Sequence, residues 1–192
     1  MVEDYILKNG KLALPNGVIK ANLSINDGII SGIYKSSSLE ANREIDLDGK
    51  LVLPGGVDFH VHMMDMGYSD REDWISGSKS AAAGGTTFVV DFGHTDPPST
   101  TKNNFIQIKD KAEKNSLIDF RINGAITSKN IGELGSLVEE GVSVFGEIYM
   151  AESIPELERI DDGKLWEAFQ EISELNTIAG VHAENWGIVK QP

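Results

Sequence analysis

The sequence predicts an α/β protein in which a small β segment precedes a series of alternating strands and helices. Residues 1–53 contain short apolar runs separated by Gly, Asn and Asp turn signals, a pattern typical of tightly connected strands. From residue 54 onward, apolar strand-like runs alternate with helix-length segments. Repeated βα units of this length imply a parallel sheet, either open or closed into a barrel.

The first segment carries three turn signals, at residues 9–10, 15–17 and 26–28. They divide it into three or four short strands, which fit a small sheet or sandwich. The second segment predicts five strands and four helices in alternation. The strands are expected over 57–62, 86–92, within 117–126, and over 142–150 and 178–182, and the helices over 73–83, 103–114, 131–140 and 164–175.

Composition narrows the class of protein. A net charge of −13 over 192 residues argues against nucleic acid and anionic membranes as partners. Cysteine is absent, so no disulfide or thiolate site is expected. The N-terminus is acidic and lacks an apolar signal core, and no run of about 18 apolar residues occurs. These features predict a cytoplasmic protein without a membrane span.

A candidate metal site begins at two histidines, His60 and His62, which stand two residues apart in the first strand after Pro54. Residues two apart point to the same side of a strand, so one ion can bind both imidazoles. Such ligands suit Zn, and also Mn, Fe or Co. Asp58 shares their face, where it can bind the metal or orient a histidine from behind.

The run Gly55-Gly56-Val57-Asp58-Phe59-His60-Val61-His62 resembles the first-strand signature of the amidohydrolase superfamily. Residues 72–87, which end in Ala-Ala-Ala-Gly-Gly-Thr-Thr, are similar to the segment that follows in the cyclic amidohydrolases: dihydropyrimidinases, hydantoinases, allantoinases and dihydroorotases. The resemblance implies a metal-dependent (β/α)8 TIM-type barrel and an N-terminal domain, residues 1–53, that forms half of a β-sandwich.

Such a barrel needs about 250 residues. Residues 54–192 are too few for it and provide about five of the eight strands. We therefore expect this chain to be the first part of a longer protein. The resemblance assigns the general base to an aspartate on the eighth strand and a further histidine ligand to the sixth, both beyond residue 192. The 192-residue chain alone is accordingly expected to be inactive.

Two more ligands follow from the resemblance. His182, in the run Val-His-Ala-Glu-Asn, matches a family metal ligand at the end of the fifth strand. On the fourth strand the family has a carboxylated lysine that bridges two metals. Alignment on Met150-Ala151 gives that position to Glu147, whereas alignment on Gly141-Val142 gives it to Gly146. We prefer Glu147, because its carboxylate supplies the same charge; the alternative is a solvated strand-end residue and a lost ligand.

The substrate positions give mixed signals. Glu152 stands where hydantoinases have a tyrosine that supports the oxyanion, and Met64 stands where dihydroorotases have an arginine that binds the substrate carboxylate. Residues 90–100 nevertheless resemble the dihydroorotase substrate loop, with His94 at the position of its substrate-binding asparagine. His94 is therefore a candidate substrate contact, with an exposed loop histidine as the alternative.

The resemblance implies metal-assisted hydrolysis of a cyclic amide C–N bond by one or two divalent ions, with zinc favoured. A dihydropyrimidinase- or hydantoinase-like enzyme is the first interpretation; a dihydroorotase or allantoinase, and a non-catalytic dihydropyrimidinase-related assembly protein, are the alternatives. An open-sheet binding module is disfavoured by the match at residues 72–87. The expected partners are a small cyclic amide and either further copies of the chain or the remaining C-terminal part.

Overall fold

The computed structural model describes residues 2–36 and 39–192, and it is a mixed α/β protein. The chain divides into two compact units, Met1–Pro54 and Gly55–Pro192. Among the described residues, no helix combines the length and the apolar character needed to cross a membrane.

The first unit is one five-stranded sheet centred on β1. Strand β1 pairs antiparallel with β2 and parallel with β4 and β5, and β3 extends the sheet beyond β2. Leu12, Ala21 and Leu23 form its buried apolar cluster. The strands are β1 (Glu3–Leu14), β2 (Gly17–Asn26), β3 (Ile29–Tyr34), β4 (Ala41–Asp46) and β5 (Leu51–Val52).

The predicted turns at residues 15–17 and 26–28 are confirmed, whereas the prediction of a turn at Asn9-Gly10 is wrong. The chain continues through these residues as a single strand with a register shift between Leu7 and Gly10. Asn9 adopts a φ of 58°, the left-handed conformation that asparagine tolerates and that often marks a β-bulge. Its side chain donates to Asp46 over 3.0 Å, so the bulge is tied to β4.

The second unit contains parallel strands and helices in alternation, as predicted. Strands β6, β7 and β8 form one parallel sheet and β9 and β10 another, and a parallel bridge between Gly124 and Phe145 links the end of the first to the second. The elements are β6 (Gly56–Val61), α1 (Trp74–Ala83), β7 (Thr86–Asp91), α2 (Lys102–Asn115), β8 (Asp119–Ile122), α3 (Gly135–Glu139), β9 (Val144–Tyr149), α4 (Asp162–Glu174), β10 (Ile178–His182) and α5 (Trp186–Val189).

Helix α3 is shorter than the predicted span of 131–140. Gly132 has a φ of 96°, which is incompatible with a right-handed helix, and turns precede Gly135. The backbone N–H groups of Gly132 and Leu134 instead donate to the carboxylate of Glu171 on α4, over 2.6 and 2.8 Å. A side chain from another helix therefore accepts the hydrogen bonds of backbone N–H groups that the prediction had placed in a longer α3.

The core of the second unit holds the strands whose ends carry the candidate ligands. Phe145 and Ile148 on β9 are fully buried, and each buried side chain of this size contributes roughly 1.5–3 kcal/mol by leaving water. Glu147 and Tyr149 stand two residues apart on the same strand and lie outside this apolar cluster. The buried cluster consists of Met63, Trp74, Val89, Phe105, Ile108, Ala112, Ile122, Ile126, Leu134, Leu137, Val142, Phe145, Ile148, Ile160, Ala168 and Ile172.

Candidate metal centre

Three side chains from separate strands converge in the second unit. His60 lies on β6, Glu147 on β9 and His182 at the end of β10. One potential ligand atom from each lies within 4.8 Å of the other two, and this is the only such group of three or more His, Cys, Asp or Glu side chains in residues 2–36 and 39–192. The parallel strands thus bring together residues that are between 35 and 122 positions apart in the sequence.

Glu147 is at the centre of this group. Its Oε1 atom lies 2.7 Å from Nε2 of His60 and 2.7 Å from Nε2 of His182, and only 7% of its side chain is exposed. Gly146, the alternative position, packs between neighbours instead: a Cβ atom there would lie 3.0 Å from the Phe92 ring and 3.1 Å from the Gly180 carbonyl. The fourth strand therefore directs the carboxylate of Glu147 at the histidines, whereas Gly146 has no side chain to offer there.

His62 lies at the edge of the group. Its Nε2 atom is 3.7 Å from Oε1 of Glu147, while its Nδ1 atom lies 2.8 Å from the carbonyl oxygen of Phe92. A hydrogen bond from Nδ1–H to that carbonyl leaves Nε2 with a free lone pair, the form in which imidazole binds metals. The Phe92 ring stacks on His60 with centroids 4.0 Å apart. Phe92, the residue that follows β7, thus contacts both histidines of the His-x-His pair and helps to orient them.

Tyr149 was not identified from the sequence. Its hydroxyl donates a hydrogen bond to Oε2 of Glu147, and its ring stacks on the imidazole of His182 with centroids 4.8 Å apart. The only signal was its position two residues after Glu147, which puts both side chains on the same face of β9. A tyrosine in an apolar strand is usually part of the core, so this spacing alone did not distinguish it.

The charges at the centre suit a cation. Burial raises the pKa of Glu147, but hydrogen bonds from Tyr149 and His182 outweigh this effect, and the pKa is lowered overall. Burial lowers the pKa of His182, whereas its contacts with Glu147 and Glu184 raise it by more. Glu147 is therefore ionised at neutral pH, and its negative charge attracts a cation.

Asp58 lies beside His60, outside the ligand group found among the described residues. Its Oδ1 atom accepts a hydrogen bond from the backbone N–H of His60 over 3.1 Å, and the residue is exposed. Among the described residues it does not belong to the converging ligand group. Asp58 thus holds the backbone of β6 next to His60, and the structure does not bring its carboxylate to the other ligands.

His94 lies beside the centre rather than within it. Its ring packs edge-on against His62, with centroids 5.8 Å apart, and against Tyr68, with centroids 5.3 Å apart. Burial lowers the pKa of His94, with a smaller contribution from His62, so the neutral form is favoured. The Tyr68 hydroxyl in turn donates to Glu156. His94 is therefore held in a row of polar side chains that leads away from the ligand group.

Asp91, at the end of β7, is a second residue that sequence reasoning missed. Its Oδ1 atom accepts a hydrogen bond over 2.8 Å from the backbone N–H of Met63, the residue that follows His62. Burial raises its pKa to about 6, and its Oδ2 atom has no hydrogen-bond partner in the part of the chain that the structure describes. Asp91 ties the end of β6 to β7 and so helps to fix where His62 lies.

The donor set fits a divalent metal ion. Neutral imidazole nitrogens together with one carboxylate oxygen are typical ligands of Zn and of Mn, Fe and Co in hydrolases. The carboxylate is buried and ionised, and Nδ1 of His62 is engaged by a carbonyl, an arrangement common around metal-binding histidines.

Comparison with known proteins gives consistent relatives. No protein-family model matches the chain. A dihydroorotase of Methanosarcina acetivorans is 40% identical over 95% of this chain and 39% of its own length, and an allantoinase of Rubrobacter xylanophilus is 36% identical over 95% and 40%. The solved structure of an L-hydantoinase (dihydropyrimidinase) from Arthrobacter aurescens matches with a TM-score of 0.93 at 36% identity, over 98% of this chain and 42% of that one. The chain spans about two-fifths of the length of these relatives.

Proposed function

We propose that this chain, which belongs to the cyclic amidohydrolase group, is the N-terminal part of a metal-dependent enzyme that hydrolyses a C–N bond in a cyclic amide. The observation that carries the proposal is the convergence of His60, Glu147 and His182 from three parallel strands. The names of the relatives support the same class of reaction, because each acts as a dihydroorotase, an allantoinase or a hydantoinase.

The proposed architecture follows from the parallel strands. We infer that β6 to β10 are five strands of a (β/α)8 TIM-type barrel, because their C-terminal ends carry the ligand group, as active sites of such barrels require. The exposed apolar side chains of Val57, Phe59 and Ile178 on β6 and β10 support further chain or another copy packing there. The N-terminal sheet is proposed to be half of a β-sandwich.

The proposed ligands are His60, His62, Glu147 and His182, with Glu147 in the place of a carboxylated lysine. When bound, a divalent metal, with zinc favoured and either one or two ions, supplies Lewis acidity and activates water for attack on an amide carbonyl. The residues of this chain hold and orient the ligands: the carbonyl of Phe92 sets the tautomer of His62, and Tyr149 holds the second oxygen of Glu147. The proton-transferring group is expected outside this chain.

For the substrate, we favour a ring amide without a carboxylate, as in hydantoin or dihydrouracil. Met64 occupies the position where an arginine would pair with the carboxylate of dihydroorotate, and a thioether offers no charge for that purpose. His94 is proposed as a substrate contact, because it lies edge-on to His62 and is kept neutral by burial. Dihydroorotate and allantoin are the second candidates, supported by the names of the relatives.

The test is hydrolysis by the full natural protein. Purified without chelator, it should contain a divalent metal and open the ring of hydantoin or dihydrouracil faster than that of dihydroorotate or allantoin. Removing the metal with a chelator should abolish turnover, and adding Zn²⁺, Mn²⁺ or Co²⁺ should restore it. A protein that contains metal but prefers dihydroorotate would support the second candidate. A protein that neither binds metal nor hydrolyses any of the four compounds would instead be a non-catalytic assembly protein.

A further inference from the structure

Tyr149 contacts two members of the ligand group from behind. The residue is 3% exposed, its hydroxyl donates to Oε2 of Glu147, and its ring lies almost parallel to the imidazole of His182 at an angle of 20°. Neither contact uses an atom that faces the centre of the group, because the histidines there approach Oε1 of Glu147. The tyrosine therefore leaves Oε1 of Glu147 and the Nε2 atoms of His60 and His182 free for a metal.

The two oxygens of Glu147 have separate partners. Oε1 faces Nε2 of His60 and Nε2 of His182, whereas Oε2 accepts the hydrogen bond from Tyr149. A carboxylate without such a donor can rotate and exchange its oxygens. A buried hydroxyl on the same strand, two residues away, fixes the plane of the carboxylate and so defines which oxygen is presented.

We propose that Tyr149 is a positioning residue of the metal centre: its hydroxyl holds Glu147 with Oε1 towards the histidines, and its ring supports His182. This inference rests on the proposed function, since it needs the group to bind a divalent ion. It goes beyond that function by assigning a role to a residue outside the ligand set. The competing explanation is a core tyrosine whose buried hydroxyl simply requires an acceptor.

The Tyr149→Phe variant of the full natural protein separates these explanations. Phenylalanine keeps the ring beside His182 and removes only the hydroxyl that holds Glu147. We expect the affinity for Zn²⁺, measured by competition with a chromophoric chelator, to fall by about 10- to 100-fold, the usual effect of losing a group that orients a metal ligand. Unchanged affinity would overturn the inference.

Tyr68→Phe is the matched control. Tyr68 also donates its hydroxyl to a glutamate, Glu156, and it also packs against a histidine, His94, but none of these three residues belongs to the ligand group. Loss of this hydroxyl should leave the Zn²⁺ affinity unchanged. An equal decrease in both variants would mean that loss of any such hydroxyl loosens the protein, and it would overturn a specific role for Tyr149.

A double-mutant cycle with Glu147→Ala shows whether Tyr149 influences Zn²⁺ affinity through the carboxylate of Glu147. If Tyr149 acts through the carboxylate, Tyr149→Phe should not weaken Zn²⁺ binding further once Glu147 is alanine. Equal decreases in both backgrounds would overturn the inference in favour of a purely structural tyrosine. The proposed function fails separately: in that case the wild type and the double variant His60→Ala, His62→Ala would bind Zn²⁺ equally, whatever residue occupies position 149.

Discussion

Nε2 of His182 lies 2.7 Å from Oε1 of Glu147, and the two residues come from the adjacent parallel strands β10 and β9. The contact depends on the register that pairs His182 with Tyr149 across these strands. A shift by one residue would turn the imidazole to the opposite face of the sheet. The fully buried side chains of Phe145 and Ile148 on β9 hold this register, so packing in the core determines the geometry of the candidate metal centre.

The first prediction concerns the His-x-His pair. In the full natural protein, the double substitution His60→Ala, His62→Ala should abolish metal binding, because it removes two of three imidazoles around Glu147. Elemental analysis of protein purified without chelator measures the effect. His94→Ala is the matched control, since His94 lies beside the ligand group and outside it, and this variant should retain the wild-type metal content. Equal metal content in the double mutant and the wild type would refute a site built on these histidines.

The second prediction concerns the charge of Glu147. Glu147→Gln keeps the size of the side chain and one oxygen but removes the negative charge that attracts a cation. The metal affinity should fall by at least about tenfold, and metal stoichiometry with it if the carboxylate bridges two ions. Isothermal titration with Zn²⁺ reports both quantities.

Glu152→Gln provides the control for this charge. Glu152 is an exposed glutamate five residues later in the chain, and it lies outside the ligand group found among the described residues. Its substitution should leave Zn²⁺ binding unchanged. If Glu147→Gln binds Zn²⁺ as the wild type does, either the alignment on Gly141-Val142, which puts Gly146 at the ligand position, or a site for a single metal ion is the better interpretation.

Much of this architecture could be predicted from the sequence because local patterns and tertiary structure agree. The strand that ends at His182 matches its predicted span of 178–182, since an apolar run bounded by polar residues had no competing interpretation. The turn expected at Asn9-Gly10 was wrong because the same dipeptide also suits a bulge, and pairing with β2 and β4 decided the outcome. The length of helix α3 was overestimated because the backbone of its predicted first turn donates hydrogen bonds to the carboxylate of Glu171 instead. Glu171 is distant in the sequence, so the local pattern gave no sign of this contact.

The candidate site, too, could be predicted from the sequence only in part. His60 and His62 could be found from their spacing alone, and Glu147 and His182 required a resemblance to a known family. Tyr149 contacts Glu147 on its own strand and His182 on β10, and Asp91 contacts the backbone that follows β6. Apart from the spacing of Tyr149 and Glu147, the local sequence does not indicate these contacts. Their roles became visible only when the strand pairing was known.

The third prediction concerns the core that holds the strand register. Ile148→Ala should destabilise the protein by about 2–5 kcal/mol, because the isoleucine is fully buried and its loss leaves a cavity among packed neighbours. Chemical denaturation of the 192-residue chain, at a concentration low enough to keep it monomeric and followed by circular dichroism, gives the free energy of unfolding. Ile30→Ala is the control, since that isoleucine is 61% exposed and its truncation should cost much less. Similar losses in both variants would contradict the assigned core.

The fourth prediction concerns the 192-residue chain by itself. Strand β6 exposes Val57 and Phe59, and β10 exposes Ile178, at 52%, 72% and 65% of their surfaces. Parallel strands with open apolar edges associate readily, and the relatives are more than twice as long as this chain. We therefore expect the isolated chain to self-associate with increasing concentration, as measured by sedimentation velocity. Phe59→Thr, which keeps the β propensity and removes the one aromatic ring among these three side chains, should shift the association to higher concentration. A monodisperse monomer that unfolds cooperatively across the whole series would show that these edges need no further partner.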